Sequence, residues 1–360
     1  MKKLVISSLK ILIVPFTILF AVNTYVDPAH IFNNRRFLQH CLNILFSKQN
    51  VANVTNYDER LFQKYYIDRL RAKLNIIVIG SSRSMQIGSE LFPGYSFFNN
   101  SVSGCVIQDY LSIYNVYDNR KITPDIIILG MDPWVLNPSF QDSRWKSLSA
   151  DYFKMSDKIG LHYNKITLDR FENIKYFLIK IKEFFSFKYF QESVKQFNKN
   201  SIYPTTLRVS NSTIKYFDGS LYEYKYEQRS INEVRKLAES YNYDSPATFK
   251  NLDREKKEIL IFFIKHLKHQ GVIIKFFICP YHPVTFQKFI RRNRSYSEFL
   301  TFITILASEF DIQIIGALDP AIFQLDEKAF YDGMHLNREA TRKIICSEIL
   351  LPKIPHTFKK

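Results

Sequence analysis

The sequence predicts an α/β protein built on a parallel sheet. Short apolar runs recur along the chain, and each is followed by glycine, proline or polar residues, as at strand ends. The runs are continuous rather than alternating, which is typical of strands covered on both faces. Helix-spaced segments separate them, and this alternation favours a parallel arrangement. The predicted strands are residues 75–79, 95–99, 125–129, 272–279 and 312–315.

The predicted elements divide the chain into five segments. Strand–helix alternation stops after residue 134 and resumes near residue 252. Residues 168–197 carry apolar side chains at helical spacing, which predicts a helix with one buried face in a largely helical insertion, interpreted as a cap over a substrate. Short helices are expected over 82–91, 106–119, 252–270 and 297–310, and a final helix over 338–350. The segments are an anchor (1–26), a lead (27–73), the first half of a core (74–135), the insertion (136–250) and the second half (251–360).

The first residues predict export. Lys2 and Lys3 precede a largely apolar stretch that ends at Val22. An uncleaved transmembrane anchor and a cleaved signal peptide both fit, and the absence of an A-x-A cleavage site favours the anchor. Positive residues at the amino end place the body outside the cytoplasm in either case.

Composition limits the partners. The chain has 360 residues, 46% of them hydrophobic, and a formal net charge of +16. Its basic residues are scattered and no nucleic-acid-binding motif is present, so nucleic acid is not an expected partner. Attraction to anionic lipid or acidic glycan, and plain compositional bias, both explain the charge. Four separated cysteines lack metal-ligand spacing, and no metal or cofactor is expected.

Candidate site residues follow predicted strands of the sheet. Ser82, Gly104, Asp132 and His282 each come after a strand end, and ligands bind at the carboxyl edge of such sheets. Asp332 and His335 lie on a loop before the last helix, at a spacing that lets an aspartate orient a histidine base.

These blocks resemble the SGNH, or GDSL-like, hydrolase family. Gly80-Ser81-Ser82 is similar to the first block, residues 100–104 to the second, and Asp332-Gly333-Met334-His335 to the last. The resemblance implies a flavodoxin-like three-layer sandwich and a triad of Ser82, His335 and Asp332. It also implies an oxyanion hole from the amides of Ser82 and Gly104. The third block departs from the family, because Asp132 stands where an amide-donating asparagine is usual. Asp132 is therefore either a third oxyanion-hole residue, protonated, or is turned away to bond backbone amides or Arg83, which leaves the hole to the Ser82 and Gly104 amides.

The layout resembles envelope proteins of surface-polysaccharide O-acylation and teichoic acid D-alanine transfer. That likeness implies a membrane-anchored serine esterase or O-acyltransferase, acting on acyl esters of a cell-surface polysaccharide beside a membrane acyl-donor protein. Arg83 and His282 are candidate substrate-binding residues. The alternative is an inactive envelope protein that binds polysaccharide or an assembly partner. A metal-dependent phosphodiesterase using Asp132, His282, Asp332 and His335 is a third interpretation.

Overall fold

The computed structural model describes residues 2–27, 34–161, 165–196, 202–205, 213–241, 250–291 and 293–351. Its strands are β1 (Asn50–Ala52), β2 (Ile76–Ile79), β3 (Phe97–Asn99), β4 (Ile126–Gly130), β5 (Tyr203–Thr205), β6 (Thr213–Lys215), β7 (Leu221–Glu223), β8 (Ile273–Ile278) and β9 (Gln313–Gly316). Its helices are α1 (Lys2–Val26), α2 (Asn34–Phe46), α3 (Glu59–Arg69), α4 (Ile107–Asn119), α5 (Ser149–Lys158), α6 (Lys165–Phe184), α7 (Phe187–Gln196), α8 (Tyr224–Glu227), α9 (Ile231–Glu239), α10 (Arg254–His269), α11 (Pro283–Thr285), α12 (Arg294–Glu309) and α13 (Arg338–Glu348).

A five-stranded parallel sheet forms the core. Its order is β3-β2-β4-β8-β9, and every neighbouring pair is parallel. Each of the five predicted strands takes a place in it, so the prediction of an α/β protein with a parallel sheet is confirmed. Because the strands run in one direction, their carboxyl ends share one edge, where the polar residues that follow them converge.

Both faces of the sheet are covered, which explains the unbroken apolar runs. Ile77 and Ile127 point into a core that α4, α10 and α12 share. Ile76 and Ile126, one residue earlier in each strand, point into a second core closed by α13. Since successive strand residues face opposite sides, both sides of β2 and β4 must be apolar. This layering is compatible with a three-layer sandwich.

A second, antiparallel sheet was not predicted. Its order is β5-β1-β6-β7, which joins the lead segment to the insertion. Each strand has three residues, too few for a period-two pattern to stand out, and Pro204 lies within β5. The prediction of a largely helical insertion is therefore incomplete.

The predicted helix over residues 168–197 is two helices, α6 and α7, and the expectation that its apolar stripe is buried is wrong. Phe177 is 59% exposed and Leu178 is 57% exposed, whereas Phe184 is fully buried. Helical spacing identifies an apolar face, yet it does not say what covers that face.

The predicted helix over residues 82–91 is also wrong. The chain makes successive turns after Ser82, and only Ser89–Leu91 forms a 3₁₀ turn. The Ser84 hydroxyl donates to the Ser81 carbonyl at 2.9 Å, and the Ser81 hydroxyl accepts from the Arg83 amide at 3.1 Å. Such side-chain bonds to the backbone compete with helix formation.

The predicted anchor segment forms α1. Across the described residues, no helix combines the length and apolarity needed to cross a bilayer. The four cysteines are all free; Cys41, Cys105 and Cys279 are buried, and Cys346 is exposed.

Candidate active site

The structure brings Ser82, His335 and Asp332 together at the carboxyl edge of the sheet. Ser82 Oγ lies 2.9 Å from Nε2 of His335, and Nδ1 of the same ring lies 2.8 Å from Asp332 Oδ2. Ser82 follows β2, and the other two residues lie on the loop before α13. A hydroxyl, an imidazole and a carboxylate joined in this order form a proton-transfer chain that can activate a serine nucleophile.

Asp332 is held as a carboxylate. Its Oδ1 accepts hydrogen bonds from the amides of Met334 and His335, both at 2.8 Å. Burial acts to raise the pKa of Asp332, but the His335 ring and the two amides outweigh it and lower that pKa to about 2. The loop therefore presents a fixed negative charge to Nδ1 of His335, leaving Nε2 to face the serine.

The turn over residues 80–84, which carries Ser82 and is called the nucleophile turn, requires glycine at its first position. A Cβ on Gly80 would lie 2.3 Å from Ser84 Oγ and 2.9 Å from the Cα of Gly130 at the end of β4. This close approach of two strand ends leaves no room for a side chain. Gly80 thereby lets the chain turn sharply and present Ser82 at the sheet edge.

Two backbone amides are available as oxyanion donors. Neither the Ser82 nor the Gly104 N–H donates to an acceptor within the part of the chain that the structure describes. Gly104 has a φ of +59°, a conformation that L side chains rarely adopt, and a Cβ there would meet Arg144 and Asp142. Ser103, its neighbour, lines the same cavity as Ser82.

Asp132 pairs with Arg83, in contrast to the asparagine expected from the resemblance. Its Oδ1 accepts from Arg83 Nη1 at 2.7 Å, and both side chains are almost fully buried. Burial raises the pKa of Asp132, while the guanidinium acts in the opposite direction. The carboxylate therefore neutralises a buried cation instead of lining the oxyanion hole as an amide donor would.

Arg83 is a positioning residue in this geometry. Its remaining donors go to the carbonyls of Cys279, Pro280 and Met334, the last at 3.0 Å. Its guanidinium also lies over the Tyr281 ring, 3.9 Å from the centroid. Its side chain is 1% exposed, so it has almost no surface that a substrate could contact, in contrast to the predicted substrate-binding role. Arg83 instead ties the nucleophile turn to the loop that carries His335.

His282 has a similar internal role. It is fully buried, and its Nδ1 accepts from the Val284 amide at 3.2 Å. Its own backbone amide donates to the Gly333 carbonyl, which steadies the loop between Asp332 and His335. His282 does not line the cavity at Ser82, so the predicted contact with substrate again lacks an exposed atom.

The loop that contains Gly104 is clamped by α3. Glu59 accepts from the Ser103 amide at 2.5 Å and from its hydroxyl at 2.9 Å, and Arg60 Nη2 donates to the Ser103 carbonyl at 2.9 Å. Arg60 also makes two bonds to Asp109 and is only 1% exposed. The charged residues of the lead segment predict a solvated face that includes Arg60. That prediction is wrong for Arg60, because its partner Asp109 lies 49 residues further along the chain.

A cavity of about 270 Å³ opens at Ser82 and His335. It adjoins a groove of about 1160 Å³, and Tyr226, Arg229 and Tyr331 line both. The Tyr331 ring stacks on His335 at 5.4 Å and on Tyr226 at 5.8 Å. None of these three residues is predicted from the sequence. Tyr331 adjoins the Asp-x-x-His block, whereas Tyr226 and Arg229 belong to no motif.

Gln86 adds a polar feature to the same cavity. Its Oε1 is buried and has no hydrogen-bond partner among the residues described. A buried acceptor without a partner is costly unless a ligand or water satisfies it. Because this oxygen is itself buried, Gln86 borders the cavity without exposing the acceptor to it.

No metal centre is apparent in the described ranges, which hold no group of three or more histidine, cysteine or acidic side chains suited to an ion. Comparison with known proteins assigns no family, since no family model matches the chain and no curated protein matches it significantly.

Proposed function

We propose that this chain is a serine esterase or O-acyltransferase of the SGNH type, acting on acyl esters of a cell-surface polysaccharide. The observation that carries the proposal is the chain of short contacts from Ser82 to His335 to Asp332. Ser82 attacks the acyl carbonyl while Nε2 of His335 takes its proton. The oxyanion that forms is stabilised by the amides of Ser82 and Gly104.

The proposed reaction proceeds through an acyl-enzyme. Collapse of the tetrahedral intermediate breaks the ester bond, and His335 returns its proton to the departing alkoxide. Water or a sugar hydroxyl then attacks the acyl-enzyme, which gives hydrolysis or transfer. The groove beside the cavity, with Tyr226 and Arg229 at the junction, supports an extended polar substrate such as a glycan.

The proposal places this body outside the cytoplasm, tied to the membrane by its amino-terminal segment and working beside a membrane acyl-donor protein. Its support is the sequence of that segment, with Lys2 and Lys3 before an apolar stretch. The membrane acyl-donor protein is proposed as partner because of the resemblance to envelope O-acylation proteins.

Labelling with a fluorophosphonate probe tests the nucleophile without knowledge of the natural substrate. We expect covalent labelling at Ser82, abolished in Ser82→Ala and reduced by at least about 10³-fold in His335→Ala. Ser240→Ala, which removes an exposed serine outside the cavity, is the matched control and keeps full labelling. Absence of labelling in folded wild-type protein would refute the enzyme and leave polysaccharide binding without catalysis.

A further inference from the structure

Exposed apolar side chains concentrate on one part of the surface. Among the described residues, 13 of the 22 exposed large apolar side chains lie on α1, α6, α7 or the joint between α6 and α7. Single exposed apolar residues are normal on soluble proteins, whereas a concentration of this kind marks an interaction surface. The question is what covers it.

The exposed stripe of α6 points away from the body. Ile174, Phe177 and Leu178 are 48%, 59% and 57% exposed, and their spacing of three and four residues places them on one face. Lys180 lies on another side of the helix and reaches Asp58 of the body at 3.5 Å. The helix is thus held by one side and presents its apolar side outward.

This stripe continues onto α1 and α7. Phe185 at the end of α6 stacks on Phe16 and Phe20 of α1, with ring centroids 5.9 and 6.1 Å apart. Phe187, the first residue of α7, is 68% exposed. We call the surface made by Phe16, Phe20, Phe177, Leu178, Phe185 and Phe187 the apolar face.

A buried polar network fixes α1 in place. The Asn23 amide donates to the Phe184 carbonyl at 2.7 Å, and the Ser193 hydroxyl donates to Asn23 Oδ1 at 2.8 Å. Tyr189 donates to the Asp27 carboxylate at 2.6 Å. Buried polar groups bond only in specific geometries, so this network specifies how α1 docks on α7. The apolar face is therefore a defined surface, built from segments about 160 residues apart in the chain.

Positive charge accompanies the apolar face. Lys175, Lys182 and Lys188 are exposed on α6 and α7, and the whole chain carries +16. Helices with an apolar side and lysines beside it bind in the headgroup region of anionic bilayers, where the apolar side enters the acyl chains by about 5–10 Å. A second copy of the chain carries the same net charge of +16, whereas an anionic bilayer carries the opposite sign.

We propose that the apolar face, with its lysines, binds the surface of an anionic lipid bilayer, so that the insertion helices α6 and α7 contact lipid together with α1. This surface shares Phe16 and Phe20 with the amino-terminal segment, so it rests on the membrane contact proposed for that segment and extends it to the insertion. It is independent of the proposed hydrolase chemistry, because none of its residues lines the cavity at Ser82. It also gives the insertion a role other than covering substrate.

Tryptophan quenching in the full-length chain tests the lipid contact locally. Phe177→Trp and Phe187→Trp are each added to vesicles of phosphatidylglycerol and brominated phosphatidylcholine, and the emission of wild-type Trp134 and Trp145 is subtracted. We expect about a twofold loss of the added emission relative to unbrominated lipid, since both side chains enter the acyl region. Ile322→Trp, 64% exposed elsewhere, is the matched control and stays unquenched.

Each alternative has its own signature. A vesicle-bound protein in which neither variant is quenched would overturn the proposal. So would a lipid-free dimer that dissociates in Phe177→Glu, because a second copy would then be the natural cover. Equal quenching in vesicles of phosphatidylcholine alone would overturn the assignment to anionic lipid. In Lys175→Glu with Lys182→Glu we expect binding weaker by roughly fivefold for each lysine removed.

Discussion

Two buried arginine–aspartate pairs support the site in different ways. Arg60 and Asp109 share two parallel bonds of 2.9 and 3.0 Å, and Asp109 also accepts from the Val106 amide at the start of α4. Arg83 makes one bond to Asp132 and gives its other donors to backbone carbonyls, including that of Met334. The first pair holds the start of α4 against the Gly104 loop. The second joins the turn that carries Ser82 to the loop that carries His335. The same kind of ion pair thus stabilises the scaffold in one place and the geometry of the triad in the other.

The largest expected effect comes from removing one partner of either pair. Asp109→Asn and Asp132→Asn each leave a buried guanidinium without its counter-charge. We expect each to lower the free energy of unfolding by about 3–5 kcal/mol. Urea unfolding at neutral pH, followed by circular dichroism, measures the loss.

Asp132→Asn is the more informative of the two because it restores the asparagine usual in the resembling family. If Asp132 were a defective oxyanion residue, the change would speed fluorophosphonate labelling and leave stability intact. The pairing with Arg83 predicts slower labelling and a less stable protein. A gain in labelling rate would therefore contradict the role assigned to this pair.

The core was predictable because its signals are local. The strand runs, the Ser82 turn and the Asp-x-x-His block each lie within a few residues, and the parallel sheet forces them onto one edge. The partners of Arg60 and Arg83 are both 49 residues away, and no local pattern reveals such a pairing. From the sequence, Arg60 is expected on a solvated face and Arg83 at the substrate, and a bond between Arg83 and Asp132 is only one of several alternatives for that aspartate. Burial of a charge depends on tertiary contacts that propensity and spacing do not encode.

The insertion resisted prediction for a related reason. Its helices follow the 3.6-residue pattern, but the pattern is the same whether protein, lipid or a second copy covers the apolar side. The strands β5, β6 and β7 are too short to show a period. Phe177 and Leu178 were therefore expected inside and lie outside.

Replacing both members of each arginine–aspartate pair with apolar residues distinguishes an effect on stability from an effect on the geometry of the triad. Arg60→Met with Asp109→Leu, and Arg83→Met with Asp132→Leu, should each recover most of the stability lost in the single variants, because no charge is left unpaired. Labelling at Ser82 should stay about 100-fold slower in the Arg83 variant, since the loop that carries His335 loses its donors and shifts. In the Arg60 variant we expect a smaller loss. Equal labelling rates would show that the two pairs do the same work.

The smallest expected effect concerns Asp332 and His335, a hydrogen-bonded pair that differs from the two arginine–aspartate pairs in being partly exposed, with 24% of the aspartate side chain accessible. The pKa of Asp332 falls from 3.8 to about 2 on folding. A lowered folded-state pKa gives stability that is present above the unfolded value and lost as the pH falls through the folded one. The difference in unfolding free energy between wild type and Asp332→Asn should therefore be about 2 kcal/mol near pH 5 and shrink steadily between about pH 4 and pH 2. Ser82→Ala, which removes the hydroxyl bonded to His335 and keeps Asp332, is the control and should follow the wild-type pH dependence. A difference that stays constant down to about pH 2 would mean that Asp332 gains nothing from its amides and from His335, and that the loop is held by Arg83 and His282 alone.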